Sequence, residues 1–307
     1  MTAVGVLPDG VTVLERGWLS SNNVVFVDAE RAAIVDTGYA THSAQTIGLV
    51  NEVLQGRKLD RIVNTHLHSD HCGGNAALRE EFSSARIWIP PGDAPLIAEW
   101  KVEELSFLQT GQECERFGFD ELLQPGSSIE LGALAWQVHA APGHDPHSIM
   151  LFEPRSRTLI SADALWEKGF GVVFPELAGE PSFEEVAATL DHIDELRSAL
   201  IIPGHGRVFS DVGAALSVAR KRLDFYQAEP ERHARHALKV LMKFKLLERS
   251  RLDFETLQAW WNGTPYVETI RKKFFESESL DELRDDIVAA LVSSNNARVN
   301  AGNLVDC

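Results

Sequence analysis

The chain has 307 residues, 44% hydrophobic and 24% charged, with 29 Lys+Arg against 45 Asp+Glu for a net charge of −16. That suffices for one α/β domain of about 200 residues with a smaller appendage, and it disfavours nucleic acid or an anionic membrane as partner unless a local basic patch intervenes. Cys72, Cys114 and Cys307 stand at unrelated spacings, no long apolar run is present and the opening MTAVGVLPDG lacks the form of a leader, so the expectation is a reducing, cytoplasmic protein that spans no membrane.

Short strands open the chain. Val11–Leu14, Val24–Asp28 and Ala32–Asp36 are rich in Val and Ile, and Thr37-Gly38 stops the third. Ile47, Val50 and Leu54 give helical spacing over Ser43–Leu54. A strand over Arg61–Thr65 then runs into His66-Leu-His68-Ser-Asp70-His71-Cys72-Gly-Gly74, with a helix restarting near Asn75. Ala85–Pro90 predicts a strand and Asp93–Gln109 a single helix, whereas 110–126 carries no clear pattern and could cover a site.

A second block of strands follows over Leu134–Ala140, Ser148–Phe152, Thr158–Ala162 and Ala199–Ile202. Ser182–Arg197 reads as a helix with Ser182 and Glu185 in a capping box. From about residue 211 the pattern turns helical, with strand character only near the C-terminus, which predicts a catalytic domain over 1–215 and a mainly helical domain over 216–307, with a winged helix as one form of it. Leu238, Leu241, Met242 and Leu246 should form the buried stripe of one helix, and Phe254, Leu257, Trp260 and Trp261 that of a neighbour. Such a unit would cap the first domain or support a homodimer. Arg220-Lys221-Arg222 and Arg271-Lys272-Lys273 read as solvated helix faces.

The chemistry concentrates at His66-x-His68-x-Asp70-His71, where a strand ends and a Gly-Gly turn opens a helix. Residues two apart in extended chain point the same way, so His66 and His68 can grip one cation. As the backbone turns, Asp70 and His71 can swing toward a second. Imidazole and carboxylate suit zinc, with iron or manganese as alternatives. Three further donors stand at later strand ends: His144 in Ala-Pro-Gly-His, Asp163 in Leu-Ile-Ser-Ala-Asp and His205 in Ile-Pro-Gly-His-Gly. Any one alone reads as a turn residue; together they read as a site. Cys72 reads as a small packed residue rather than a ligand, and His147 as either a rim contact or a structural histidine.

This arrangement resembles the metallo-β-lactamase superfamily, with its H-x-H-x-D-H motif and later single His, Asp and His, over about residues 10–210. The resemblance implies an αββα sandwich, two zinc ions and a bridging hydroxide that attacks the substrate. It implies His66, His68 and His144 on the first metal, Asp70, His71 and His205 on the second, Asp163 bridging both, and Asp70 guiding protons. Asp36, in Asp36-Thr37-Gly38, would support the metal loop. An aspartate at position 163 is the pattern of glyoxalase II, lactonases and the superfamily's nucleases; the β-lactamases of the family carry Cys or Ser there. With no basic strip in evidence, the expected substrate is a small ester, thioester or lactone. A metal-dependent endoribonuclease and an iron-dependent redox enzyme are the alternatives. The apolar and glycine-rich run Trp166–Phe174 offers either a pocket wall or ordinary core.

Overall fold

A computed structural model describes residues 6–17 and 20–307. The part of the leader reading that rests on residues 1–5 lies outside them.

Two sheets stack face to face. The first runs β1 (Val11–Leu14), β2 (Asn23–Val27), β3 (Ala32–Val35), β4 (Arg61–Val63), β5 (Arg86–Ile89) and β6 (Glu121–Leu122) in spatial order, antiparallel as far as β3 and parallel beyond. The second runs β7 (Ser128–Leu131), β8 (Leu134–Ala140), β9 (Ile149–Glu153), β10 (Thr158–Ala162) and β11 (Leu200–Pro203), antiparallel except for the last pair.

Strand alternation explains the layers. In β2 and β3, Val24, Phe26, Ala33 and Val35 face the other sheet, while Val25, Ala32 and Ile34 face outward. That outward face is covered by α1 (Ser43–Leu54), α3 (Asn75–Glu81), α4 (Ala94–Glu99) and α5 (Ser106–Thr110), with the single turn α2 (Ser69–Cys72) at the sheet's end. On the second sheet, Ile149 and Leu151 point inward and Met150 and Phe152 outward. There α6 (Phe174–Ala178), α7 (Ser182–Leu196) and α8 (Val212–Ala228) close the αββα sandwich. Sheets buried on both faces need continuous apolar strands, which is why these read so clearly in the sequence.

Three local expectations need correction. The helix over 93–109 is two short helices, because Trp100 adopts a left-handed conformation (φ 54°) and ends α4. Ser182 does not cap α7; Pro181 holds that place and the Glu176 carboxylate accepts the Phe183 N–H instead. The short strands β6 and β7 were missing from the expected set, and β6 is only two residues long.

The C-terminal region comprises α9 (Pro230–Arg249), β12 (Arg251–Asp253), α10 (Phe254–Gly263), α11 (Pro265–Phe274), α12 (Leu280–Ser293), β13 (Ala297–Asn300) and β14 (Asn303–Asp306). With β14 between β12 and β13, this is the layout of a winged helix with one added helix. Strands are therefore more prominent here than the helical pattern implied. Leu238, Leu241, Met242 and Leu246 are buried together with Leu257 and Trp261. Phe254 is instead 40% exposed, sitting next to the N-cap Asp253. Position 215 lies inside α8, whose Ala215–Tyr226 face packs on the second sheet, while the C-terminal core begins at Ala234. Among the described residues no helix is long and apolar enough to cross a membrane.

The C-terminal unit is fastened to the sandwich by specific bonds. Val172, Phe174 and Leu177 enter its core, and Trp260 Nε1 donates to the Gly111 carbonyl at 2.8 Å. Buried Glu248 accepts from Lys245 Nζ and from the Glu113 backbone N–H (2.8 Å), and its own carbonyl accepts from Thr41 Oγ1 (2.9 Å). Burial pushes the Glu248 carboxyl pKa up against the pull of Lys245. Removing one member of a buried ion pair strands the other, so Glu248→Ala should cost about 3–5 kcal/mol in denaturant unfolding. A loss below about 1 kcal/mol, the size of a surface pair, would contradict this clasp.

Candidate metal centre

The donors gather at one end of the sandwich, where β3, β4, β10 and β11 finish. The Asp36 carboxylate organises the first of these ends. Held at φ 59°, it accepts from Thr65 N (2.9 Å), Thr65 Oγ1 (2.8 Å) and His71 Nδ1 (2.8 Å). The loop after β4 is thus pinned to the end of β3, and the Nε2 face of His71 is turned inward.

His66, His68 and His144 form one cluster, with one donor atom of each within 4.8 Å of the others. His144 Nδ1 donates to the Val172 carbonyl at 2.6 Å, which leaves Nε2 bare. Thr65 Oγ1 donates to Asp36, so His66 Nδ1 donates to Thr65 Oγ1 at 3.1 Å and its Nε2 is bare as well. Both bare nitrogens face His68 Nδ1, at 3.1 and 2.9 Å. One proton on His68 Nδ1 satisfies at most one of these contacts, so at least one inward imidazole lone pair is left without a donor. A cation between these nitrogens satisfies it, and donors around a tetrahedral zinc stand about 3.3 Å apart.

Asp70, His71 and His205 form a second cluster, and His66, His71 and Asp163 a third that straddles the two. Asp70 Oδ2 lies 3.0 Å from His205 Nε2. Asp163 Oδ1 lies 3.4 Å from His71 Nε2, and its Oδ2 lies 3.5 Å from His144 Nε2 and 3.7 Å from His205 Nε2. All seven residues named in the sequence therefore converge, with Asp163 between the two groups. All are buried except the half-buried His68.

The electrostatics differ between the two ends. Burial pushes His68 and His144 down to about 4, and His66 is held well below the usual range by burial and then by His71. Those three present neutral imidazoles at pH 7, the form that binds metal. Burial also opposes charge on His71, but Asp163, Asp36 and Asp70 outweigh it and raise its pKa. Burial raises the carboxyls of Asp70 and Asp163, yet the neighbouring His71 and His205 bring both below the usual range. The carboxylate end demands positive charge, which a dication supplies.

Backbone geometry aims Asp163. A register irregularity between Ile160 and Ala162, with Ala162 at φ 46°, turns the chain at the end of β10. Trp166 Nε1 donates to Asp163 Oδ1 at 3.1 Å. Asn22 ties the loop bearing His205 to the first sheet, donating to the carbonyls of Pro203 (2.9 Å) and Gly206 (2.8 Å).

Several residues here were missed or read differently in the sequence. Asp145 Oδ2 lies 3.7 Å from His68 Nε2, and its position directly after His144 was the available signal. His147 turns away to Asp93 (3.7 Å) and covers Gly92, so it behaves as a structural histidine. Cys72 is buried with its Sγ 4.0 Å from that of Cys114, consistent with packing. Trp166, Val172 and Phe174 line the cavity at the centre while Phe170 and Val173 pack in the core of the second sheet, so the Trp166–Phe174 run is part wall and part core.

Gly204 permits the close approach of two strand ends. A Cβ there would stand 2.1 Å from Asp163 Oδ1 and 3.0 Å from His71 Cε1. Gly204→Ala should therefore displace Asp163 and lower the metal retained after dialysis about 10-fold or more, with little change in circular dichroism. Full retention would show that Asp163 is not held by this contact.

The Metallo-beta-lactamase superfamily model matches residues 16–205. A hydroxyacylglutathione hydrolase of Synechococcus sp. (strain JA-2-3B'a(2-13)) is 28% identical over 172 residues, covering 56% of this chain and 57% of that protein. The chain thus spans little more than half the length of that curated relative. The beta-lactamase-like protein 2 homolog of Caenorhabditis elegans is 24% identical over 223 residues, covering 72% of this chain and 65% of that protein. A crystal structure of a metallo-beta-lactamase family protein from Thermus thermophilus superposes with a TM-score of 0.58 at 19% identity, over 98% of this chain and 100% of that one. That likeness is one of fold, and it extends through the C-terminal elements. With its sandwich, its clustered histidines and aspartates and this family match, the chain belongs to the metallo-β-lactamase superfamily.

Proposed function

We propose that the protein is a dinuclear, zinc-dependent hydrolase of a small ester, thioester or lactone. The observation that carries this reading is the position of the donors at the floor of a largely apolar cavity of about 390 Å³, a size suited to a small organic substrate.

His66, His68 and His144 would hold one metal, Asp70, His71 and His205 the other, with Asp163 shared. When bound, the two metals supply Lewis acidity toward the attacked acyl group and lower the pKa of water. The remaining work belongs to the chain. Asp70 lines the cavity and is placed to orient the attacking water and carry its proton toward the leaving group. Trp166 holds Asp163 through its indole N–H, and the Val172 carbonyl fixes the tautomer of His144. Val172, Phe174, Phe244 and Leu247 exclude bulk water from the wall.

Similarity to a hydroxyacylglutathione hydrolase supports the thioester within this class. The winged-helix layout favours a second reading, a metal-dependent endoribonuclease. Charge weighs against it: α12, in the place of a recognition helix, carries Asp281, Glu282, Asp285 and Asp286.

A panel of acyl thioesters, lactones and aryl esters should show turnover that disappears with chelator and in His68→Ala. Faster cleavage of single-stranded RNA than of every acyl substrate, with the same chelator sensitivity, would overturn the choice.

A further inference from the structure

The cavity has a second chemical character away from the metal centre. One face of α9 lines it: His236, Lys239, Val240, Lys243, Phe244 and Leu247 recur at the three- and four-residue spacing of a helix. Phe244 marks the metal end, its ring stacked on His205 with centroids 5.9 Å apart. At 1.5 Å per residue, Lys239 lies about 8 Å and His236 about 12 Å farther along the helix.

That distal region is cationic. Arg222 reaches in from α8 with its guanidinium laid over Gly169, where a Cβ would stand 2.4 Å from Nη1. This corrects the reading of Arg220-Lys221-Arg222 as a uniform solvated face. Arg220 pairs outward with Asp191 and Asp194, whereas Arg222, two residues on, points to the opposite side of the helix. Lys168, in the turn between Trp166 and Gly169, completes a trio with Arg222 and Lys239.

None of the three has a carboxylate within 4.0 Å or a hydrogen-bond acceptor among the described residues. Among the described residues nine of the other nineteen arginines are paired with a carboxylate, as Arg235 is with Glu278 and Arg271 with Glu268. Lys243, the remaining cation on this wall, is already bound to Asp306 and to the Asn296 carbonyl. Among the described residues the carboxylates lining the cavity are Asp70 and Asp163, both at the metal end. His236, beside the trio, is driven to about 4 by burial and then by Arg222 and Lys239. Arg222 and Lys239 are half-buried and Lys168 is exposed, and all three line the apolar cavity without a carboxylate partner in a chain of net charge −16.

We infer that Lys168, Arg222 and Lys239 form an anion-binding subsite, and that the substrate is an acyl compound bearing a phosphate or dicarboxylate handle. An apolar spacer of roughly 8 Å, the distance from Phe244 to Lys239 along α9, would separate that handle from the scissile carbonyl. The inference rests on the hydrolase reading for the word substrate, but the subsite itself is testable by binding alone.

The zinc-loaded protein is titrated calorimetrically with hexyl phosphate, the dicarboxylate 2-hexylsuccinate and the neutral hexanol. Both anions should bind at least about 10-fold more tightly than hexanol, and Arg222→Glu should weaken anion binding about 10-fold or more. Lys239→Glu and the exposed Lys168→Glu give the same test if Arg222→Glu fails to fold. Lys221→Glu makes an equal change in net charge outside the cavity and should have little effect. The subsite is overturned if anion affinity is unmoved by the cavity variants, as for phosphate held only at the metals, or if Lys221→Glu weakens binding as much as they do. Phosphate binding without succinate binding assigns the handle to a phosphate ester; the converse assigns it to a dicarboxylate. If the binding pattern holds while no acyl substrate is turned over, the hydrolase reading fails and the subsite stands. If neutral esters are hydrolysed while the variants leave anion binding unchanged, the reverse is true.

Discussion

Several imidazoles and two carboxylates cannot share a buried space unless something compensates their lone pairs and charge. At this centre the compensation comes in two forms. Outward-facing nitrogens are satisfied by the chain, His71 by Asp36 and His144 by the Val172 carbonyl. Inward-facing atoms are left to a cation. The rest of the architecture serves that division. Asp36 accepts a left-handed backbone in order to reach Thr65 and His71 together, and Ala162 does the same to turn Asp163 inward. Such conformations cost on the order of 1–3 kcal/mol each and persist where the surroundings determine them. Here they sit on strands buried on both faces, which cannot relax without disturbing the sandwich.

The sandwich alone would leave the centre open to water. The C-terminal unit supplies the missing wall: Phe244 stacks over His205, and α9 lays one face along the cavity while its other face forms the core with α10 and α12. Glu248 and Trp260 fix the position of that wall against residues 41 and 111–113. The clustered donors and the apolar lining above them therefore come from two parts of the chain. The donors lie within residues 16–205, which the superfamily model matches, and most of the cavity's distal lining lies beyond them.

What the sequence revealed follows from the range of the interactions involved. His66, His68, Asp70 and His71 were legible because a local backbone path from strand to turn brings them together. His144, Asp163 and His205 were legible because each closes a strand, and strand ends in a layered fold share one edge. The sandwich strands were legible because burial on both faces leaves unbroken apolar runs. Trp100 was not, since a left-handed residue inside an apolar periodic stretch leaves no mark on the pattern. Nor was Glu176 in the role of capping α7, because its carboxylate arrives from an earlier helix. Arg222 and Phe244 are tertiary placements, and nothing in their local spacing announces the cavity they line.

The central claim is that the buried donors hold two metal ions with Asp163 shared between them. Metal content per chain, measured by mass spectrometry on protein saturated with zinc and then desalted, tests it most directly. The account predicts two ions per chain in the wild type and about one in Asp163→Ala. A single ion in the wild type at saturation, or two ions retained in Asp163→Ala, would contradict it.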